Sequence, residues 1–135
     1  MEKIPESHKR LLKEPVFPTL ATVMPDGHPQ VHPVWCDYDG TYVRFNTAKG
    51  RQKDQNLVRE PQATLLLVDP DDPYFWMEIR GDVAERIEGG PAEDHIDSLA
   101  HKYLGKERYP GRTEDEVRVM YKIEPERVLV HGNGS

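Results

Sequence analysis

The pattern of apolar and polar positions divides the first half of the chain into short segments. Apolar and polar residues alternate through 19–24, 30–36 and 41–47, and the two turns between these segments each contain Asp-Gly. Alternation is typical of half-buried strands, and Asp-Gly favours tight hairpin turns. We therefore predict three strands in an antiparallel meander. Near-helical spacing of apolar residues, with Ser7 as a cap, predicts a short helix over 4–14.

Two segments of the second half have helical character. Residues 51–60 lack alternation and are followed by a proline, which predicts a helix that ends there. Residues 91–104 are amphipathic, with a proline in the first turn and Gly105 directly after the last apolar position. Proline near the start and glycine just past the end are typical of a helix.

Three further segments are rich in strand-forming residues. Residues 62–69 are apolar enough to predict a strand buried on both faces, and 117–131 predict a last strand interrupted at Pro125. The long segment 74–88 carries Gly81 at its centre, which indicates a bulge or a sharp bend. About six strands with flanking helices predict an all-β class and a small closed barrel, because closure removes exposed strand edges.

Length and charge narrow the class of protein. The chain has 135 residues, with 18 basic and 24 acidic side chains and a net charge of −6. We expect one domain over 1–135, with loose ends at 1–3 and 132–135. An acidic excess argues against a nucleic-acid or membrane-surface binder. The absence of a signal sequence, of a long apolar run and of paired cysteines favours a soluble cytoplasmic protein.

One basic segment stands out in this acidic chain. Lys49, Arg51 and Lys53 place three cations within five residues, just after a predicted strand and at the start of a predicted helix. Cations are unfavourable at a helix N-terminus unless an anion is bound there. The segment, with Thr47 beside it, therefore predicts a phosphate site. The alternative is a solvated basic turn.

The aromatic residues suggest a second candidate surface. Trp35 lies in a predicted strand, and alternation places Tyr74 and Trp76 on one face of the long strand and Phe75 and Met77 on the other. One of these faces needs a cover, such as a partner subunit or a flat aromatic ligand. The alternative is a core strand that is buried on both sides.

Other catalytic signatures are missing. The histidines have no zinc-like spacing, so we expect no metal site. The chain has no nucleophile elbow, Walker motif or dinucleotide fingerprint, and no convincing acid–base pair. We therefore predict no catalytic side chain.

Several stretches, taken together in order, resemble one known family. They are 21–35, 46–57, 60–65, 74–81 and the helix that runs to 103–105. The chain resembles the split-barrel flavin and deazaflavin oxidoreductases, the pyridoxamine 5′-phosphate oxidase-like group, and above all its small F420-dependent branch. The resemblance covers about residues 7–130.

The resemblance implies a fold, an assembly and a set of site residues. The fold would be a six-stranded antiparallel FMN-binding split barrel, and the assembly a homodimer with cofactor sites at the subunit interface. The residues near the cofactor's phosphate would be Thr47, Ala48, Lys49, Arg51, Lys53 and Asn56. Those along its ring would be Gln30, His32, Pro33, Val34 and Trp35, with Tyr74, Trp76 and Met77 supplied by the partner subunit.

The implied activity is hydride transfer between F420 and a small electron-poor organic substrate. FMN is the alternative cofactor, since it also brings a phosphate to the basic segment. A third reading is a non-catalytic flavin-, F420- or haem-binding protein, with His95 or His131 as the suspected haem ligand.

Overall fold

A seven-stranded antiparallel sheet organises residues 2–132, the part of the chain that the computed structural model describes. The strand order is β2-β1-β5-β6-β7-β4-β3, which gives a rolled half-barrel sheet flanked by helices. The strands are β1 (Thr19–Val23), β2 (Pro29–Pro33), β3 (Cys36–Tyr38), β4 (Val43–Ala48), β5 (Gln62–Asp69), β6 (Asp72–Glu88) and β7 (Arg118–His131). The predicted all-β class is confirmed, with seven strands in place of six.

The helices lie on the flanks of the sheet. They are α1 (Arg10–Lys13), α2 (Gln52–Arg59) and α3 (Gly90–Leu104), with a short 3₁₀ turn over Glu6–His8. The second and third predicted helices are confirmed, and Gly105 ends α3 in a left-handed conformation with φ of 70°. The predicted helix 4–14 is broken into the 3₁₀ turn and α1. Ser7 does not cap it, because the Ser7 hydroxyl lies 2.8 Å from His8 Nδ1.

The predicted strand 30–36 is two strands. β2 pairs with β1 through Pro33, whereas β3 pairs with β4 from Cys36 onward. Pro33 has no N–H for a ladder, and the next N–H, of Val34, donates to the carbonyl of Pro18 at 3.0 Å. The predicted three-strand meander is therefore wrong. The short Val34–Trp35 link joins the two edge strands of the sheet and brings its two ends together.

The bend predicted at Gly81 is present in β6. The register between β6 and β7 shifts between Arg80 and Gly81, and Gly81 lies opposite Pro125. A Cβ atom at Gly81 would lie 2.4 Å from the carbonyl oxygen of Glu124, so only glycine fits this approach. Pro125 therefore marks a bulge and does not interrupt β7.

The core fills the inner face of the sheet. Phe45, Leu67, Met77 and Tyr121 are fully buried in it. β5 alternates between buried and exposed positions, and Leu66 on its outer face is 38% exposed. The prediction that β5 is buried on both faces is therefore wrong for this chain alone.

The ends of the chain are only partly described. Glu2 donates its N–H to Pro125, and its carboxylate accepts from the N–H of Val128, so this residue is tied to β7. The rest of the expected loose ends falls mainly on residues 1 and 133–135, which lie outside the described residues. Across 2–132, no helix has the length and apolar character needed to cross a membrane.

Candidate functional site

A cleft of about 240 Å³ opens beside the Val34–Trp35 link. It lies where the N-terminus of α2, the start of β7 and the middle of α3 meet the link between β2 and β3. Its lining residues are Phe17, Pro33, Val34, Trp35, Asn46, Arg51, Lys53, Ile96, Tyr109 and Arg118. The lining divides into a cationic side and an aromatic side.

Three cations form the cationic side: Arg51, Lys53 and Arg118. Glu116 is the one carboxylate that pairs with them in the described part of the chain. Arg51 Nη2 lies 2.9 Å from Glu116 Oε1, and Arg118 Nη1 lies 2.9 Å from Glu116 Oε2. No carboxylate within residues 2–132 lies within ion-pair distance of Lys53. The cluster of Arg51, Lys53 and Arg118, called the cation cluster below, therefore keeps an excess of positive charge.

The local backbone explains why Arg51 and Lys53 face the cleft. Gly50 turns the chain with φ of 87°, and Arg51 is the extended residue directly before α2. The N–H groups of a first helical turn have no partner within the helix and favour an anion. Burial, together with repulsion from Arg51 and Arg118, lowers the pKa of the Lys53 amine below its usual value. Each of these features favours a bound anion.

Arg118 is the most buried member of the cation cluster. Its residue is only 3% exposed, and its Nε donates to Asn46 Oδ1 at 2.9 Å. Its contact with Glu116 lacks hydrogen-bond geometry, so Arg118 Nη1 and Glu116 Oε2 are both buried without a hydrogen bond inside residues 2–132. Arg118 Nη1 is therefore ion-paired but keeps its capacity to donate a hydrogen bond, and an acceptor atom of a bound ligand would satisfy it.

Stacked rings form the aromatic side of the cleft. Trp35 stacks on Tyr103 at 5.4 Å between ring centroids, and Tyr109 meets the Trp35 ring edge-on at 5.9 Å. Phe17 packs against Tyr103 at 5.1 Å and is 57% exposed. The Arg118 guanidinium lies 5.2 Å from the Tyr109 ring centroid, where the two sides of the cleft meet. A flat ring bearing an anionic group matches this arrangement.

Five predicted residues are brought together in the cleft: Pro33, Val34, Trp35, Arg51 and Lys53. The other members of the basic segment point elsewhere. Lys49 extends to the opposite side of α2 and pairs with Glu88 at 3.3 Å. Thr47 follows Phe45 on the inner face of β4, and its Oγ1 is buried with no partner among the described residues. Ala48 is buried and does not line the cleft.

Gln30 and Asn56 have a structural role in this chain. Asn56 is fully buried, and its amide donates to Thr22 Oγ1 at 3.0 Å and to Gln30 Oε1 at 3.2 Å. These bonds attach α2 to the β1–β2 hairpin. His32 is exposed on β2 and does not line the cleft.

The three residues expected from the partner subunit have different environments. Tyr74 is 73% exposed, and Trp76 is half-buried and stacks on His131 at 5.6 Å. Met77 is fully buried in the core of its own subunit. The expectation that Met77 contacts a cofactor is therefore wrong, because alternation turns it inward while Trp76 faces out.

Five cleft residues were not predicted: Phe17, Asn46, Ile96, Tyr109 and Arg118. Asn46 had a local signal, since it is a polar residue on an apolar strand just before the basic segment. Arg118 and Tyr109 are distant in sequence, and only the pairing of β7 with β4 brings Arg118 beside Ala48. Phe17 and Ile96 read as ordinary apolar residues.

The cleft has the chemistry of a binding site more than that of an acid–base centre. Within residues 2–132 no three His, Cys, Asp or Glu side chains are grouped so that they could hold a metal ion. The Cys36 thiol is fully buried, and burial raises its pKa to about 11, so it is not an activated nucleophile.

Comparisons with known proteins identify the family to which this fold belongs. The family described as pyridoxamine 5′-phosphate oxidase matches residues 4–132. The solved structure of an F420 reductase is 32% identical, with a TM-score of 0.83, and the match covers 93% of this chain and 98% of that one. No curated protein sequence gives a significant match.

Two more distant structures share the fold alone. A conserved hypothetical protein from Mycobacterium tuberculosis is 24% identical, with a TM-score of 0.73, over 97% of this chain and 86% of that one. HupZ from Group A Streptococcus is 17% identical, with a TM-score of 0.67, over 98% and 100%. The match to the family across almost the whole chain, together with the similarity to the F420 reductase, shows that this chain belongs to the pyridoxamine 5′-phosphate oxidase family.

Proposed function

We propose that this chain is an oxidoreductase that binds coenzyme F420 in the cleft and transfers a hydride between F420 and a small electron-poor organic substrate. The observation that carries the proposal is the cation cluster of Arg51, Lys53 and Arg118. It holds more positive charge than Glu116 neutralises, and Arg118 Nη1 is a buried donor without a hydrogen bond inside residues 2–132. A phosphate supplies both the charge and the acceptor oxygens.

The aromatic side of the cleft supports a ring cofactor. Trp35, Tyr109 and Phe17 offer apolar faces within reach of the cation cluster, so an anionic group and a planar ring can be held by one molecule. The chemistry that F420 supplies when bound is hydride transfer, which no side chain can provide. The protein holds the phosphate, orients one face of the ring and excludes water from the site. We therefore assign no side chain as an acid or base.

F420 is favoured over FMN by the comparison with the F420 reductase at 32% identity. FMN remains the alternative, because its phosphate satisfies the same three cations. Haem is not favoured. His95 is buried and both of its ring nitrogens have partners, Asn46 and Asp37. The His131 ring stacks on Trp76, and its Nδ1 faces the carbonyl of Tyr74.

We propose a second copy of this chain as the partner. The outer face of the sheet carries Val31, Leu66, Trp76 and Tyr74, of which Val31 is 52% and Tyr74 73% exposed. Exposed apolar residues that follow one sheet face are typical of a subunit interface. Such an interface covers β5 on its outer side and allows Tyr74 and Trp76 to reach the partner's cleft. Met77 takes no part in it, because it is buried inside its own subunit.

A fluorescence titration with a single reporter tests the cofactor. Trp76→Phe leaves Trp35, at the cleft, as the only tryptophan. We expect F420 to quench the Trp35 signal saturably and with a lower Kd than FMN. Tighter binding of FMN would make the protein a flavoprotein of the same family. Quenching by neither cofactor would overturn the proposal.

A further inference from the structure

A buried chain of hydrogen bonds leads from the surface pair Asp37–Arg44 to the cation cluster. Arg44 donates to the Asp37 carboxylate through Nε and Nη2, both at 2.8 Å, across the β3–β4 ladder. His95 Nε2 lies 3.3 Å from Asp37 Oδ1, and His95 Nδ1 lies 3.1 Å from Asn46 Nδ2. Asn46 Oδ1 accepts from Arg118 Nε at 2.9 Å. His95 is 5% exposed and Asn46 9%, so the middle of the chain is shielded from water.

The partners of Asn46 determine which atom donates and which accepts in each hydrogen bond of this series. Asn46 Nδ2 donates to the carbonyl of Ala92 at 2.8 Å, and a carbonyl can only accept. Asn46 Oδ1 faces the guanidinium of Arg118, which can only donate. The amide orientation is therefore determined. His95 Nδ1 faces the second N–H of the same amide and must be an acceptor.

The tautomer of His95 follows from this assignment. With Nδ1 as an acceptor, the ring proton of neutral His95 is on Nε2, and it points to the carboxylate of Asp37. Burial alone would raise the pKa of Asp37, but the hydrogen bonds from His95 and Arg44 outweigh it and lower this pKa to about 2. Asp37 is therefore ionised at neutral pH, as this tautomer requires.

This series of hydrogen bonds ends at the guanidinium of Arg118, which lies deepest in the cleft. Within residues 2–132, the bond to Asn46 is the only hydrogen bond that the Arg118 side chain makes. The Asn46 amide thus supplies a hydrogen bond that orients Arg118, beside the ion pair with Glu116 at 2.9 Å and the contact with the Tyr109 ring. That amide is itself held by Ala92 and His95. Of Asn46, Ala92 and His95, Asn46 alone lines the cleft.

We propose that His95 is a positioning residue: through Nδ1 it holds the Asn46 amide in the one orientation that directs Arg118 toward a phosphate in the cleft. The proposal rests on the function proposed above in one respect only, which is that the phosphate in the cleft belongs to F420. Its structural part, the control of Arg118 by His95, stands apart from cofactor binding.

Two substitutions of similar polarity distinguish the roles of the two ring nitrogens of His95. In His95→Asn, the side-chain oxygen takes the place of Nδ1 and keeps the acceptor for Asn46. In His95→Gln, the amide nitrogen takes the place of Nε2 and keeps the donor to Asp37 but leaves Asn46 without an acceptor. If His95 served only to pack the fold, Asn would not be expected to replace it better than Gln. Thermal unfolding of both variants verifies that each is folded.

The first measurement is hydrogen exchange at the Nε–H of Arg118, followed by NMR and assigned by the signal that disappears in Arg118→Lys. We expect protection in the wild type and in His95→Asn, and exchange about tenfold faster in His95→Gln. The second is the Kd for F420, which we expect to stay within about twofold in His95→Asn and to rise about fivefold or more in His95→Gln.

The outcomes are distinguishable. Equal exchange in the two variants, or faster exchange in His95→Asn, overturns the positioning role whatever the cofactor is. The expected exchange pattern without F420 binding to any form keeps the positioning role and overturns the proposed cofactor. The expected exchange pattern with equal Kd values in both variants overturns the link between Arg118 orientation and phosphate binding.

Discussion

The Asp54 carboxylate accepts hydrogen bonds from both Nε and Nη2 of Arg86 at 3.0 Å, and this pair connects the first turn of α2 to the strand β6. The same carboxylate accepts the N–H of Gly50 at 2.9 Å and the hydroxyl of Tyr121. This side of α2 is therefore fixed to the sheet. Lys53, one residue earlier, faces the cleft on the other side, so the ion pair sets the position of the helix that carries Lys53.

Loss of Arg86 should destabilise the fold. Burial would raise the pKa of Asp54, but the bonds from Arg86, Tyr121 and Gly50 lower it, so the carboxylate is charged at neutral pH. Arg86→Ala leaves this charge buried without its bidentate partner, and we expect the free energy of unfolding to fall by about 3 kcal/mol. Urea unfolding measures the change. Arg86→Lys should recover only part of it, because an ammonium cannot form the same fork.

A change below about 0.5 kcal/mol in Arg86→Ala would show that the ion pair does not hold α2. Arg80→Ala is the matched control, because Arg80 lies on the same strand, its side chain is 53% exposed, and among residues 2–132 it pairs only with Glu78. We expect its effect to stay within about 0.5 kcal/mol.

The affinity for an anionic cofactor should depend on the protonation of Lys53. Burial and the neighbouring cations Arg51 and Arg118 lower the pKa of its amine below the usual 10.5. The neutral amine has no charge to offer a phosphate, so the Kd for F420 should begin to rise with pH below 10.5. A bound anion favours the charged amine, so binding takes up a proton on this limb.

Lys53→Arg supplies the control for this pH profile. A guanidinium keeps its charge over the whole range, so the rise in Kd should be absent or much smaller in the variant. The measurement is the Kd for F420 between about pH 7 and pH 10.5 in both proteins. Parallel profiles would assign the pH dependence to another group.

Glu116 should compete with the phosphate for the cation cluster. Its carboxylate lies 2.9 Å from both Arg51 and Arg118, and its side chain is only 10% exposed. Glu116→Gln removes one negative charge from beside the proposed phosphate position, and we expect the Kd for F420 to fall about tenfold. Weaker binding in Glu116→Gln would mean instead that the carboxylate acts mainly to orient the two arginines.

Local patterns predicted most elements of the fold. Helices α2 and α3, the strands around both Asp-Gly turns and the bend at Gly81 follow from period, turn chemistry and backbone freedom. The break between β2 and β3 was not predicted, because alternation continues through Pro33 while its hydrogen bonding changes partner. The exposed outer face of β5 was also missed, since an apolar run has the same composition whether its own core or a second chain covers it.

The site was only partly predictable for a different reason. The basic segment indicated an anion site, and Arg51 and Lys53 line it. Lys49 could not be separated from them by sequence, because the turn at Gly50 sends its side chain to the far side of α2. Arg118 comes from β7, 65 residues after Lys53, and strand pairing brings the two together.

The most direct test of the account compares Lys53→Ala with Lys49→Ala in calorimetric titrations with F420. The two lysines lie four residues apart in the same basic segment, but only Lys53 lines the cleft, whereas Lys49 pairs with Glu88. The substitutions change the net charge equally, so long-range electrostatic effects are matched.

We expect Lys53→Ala to raise the Kd for F420 about tenfold to a hundredfold, as the loss of a charge-assisted bond to phosphate predicts. Lys49→Ala should stay within about twofold of the wild type. An unchanged Kd in Lys53→Ala, or an equal loss in both variants, would contradict the assignment of this cleft as the cofactor's phosphate site.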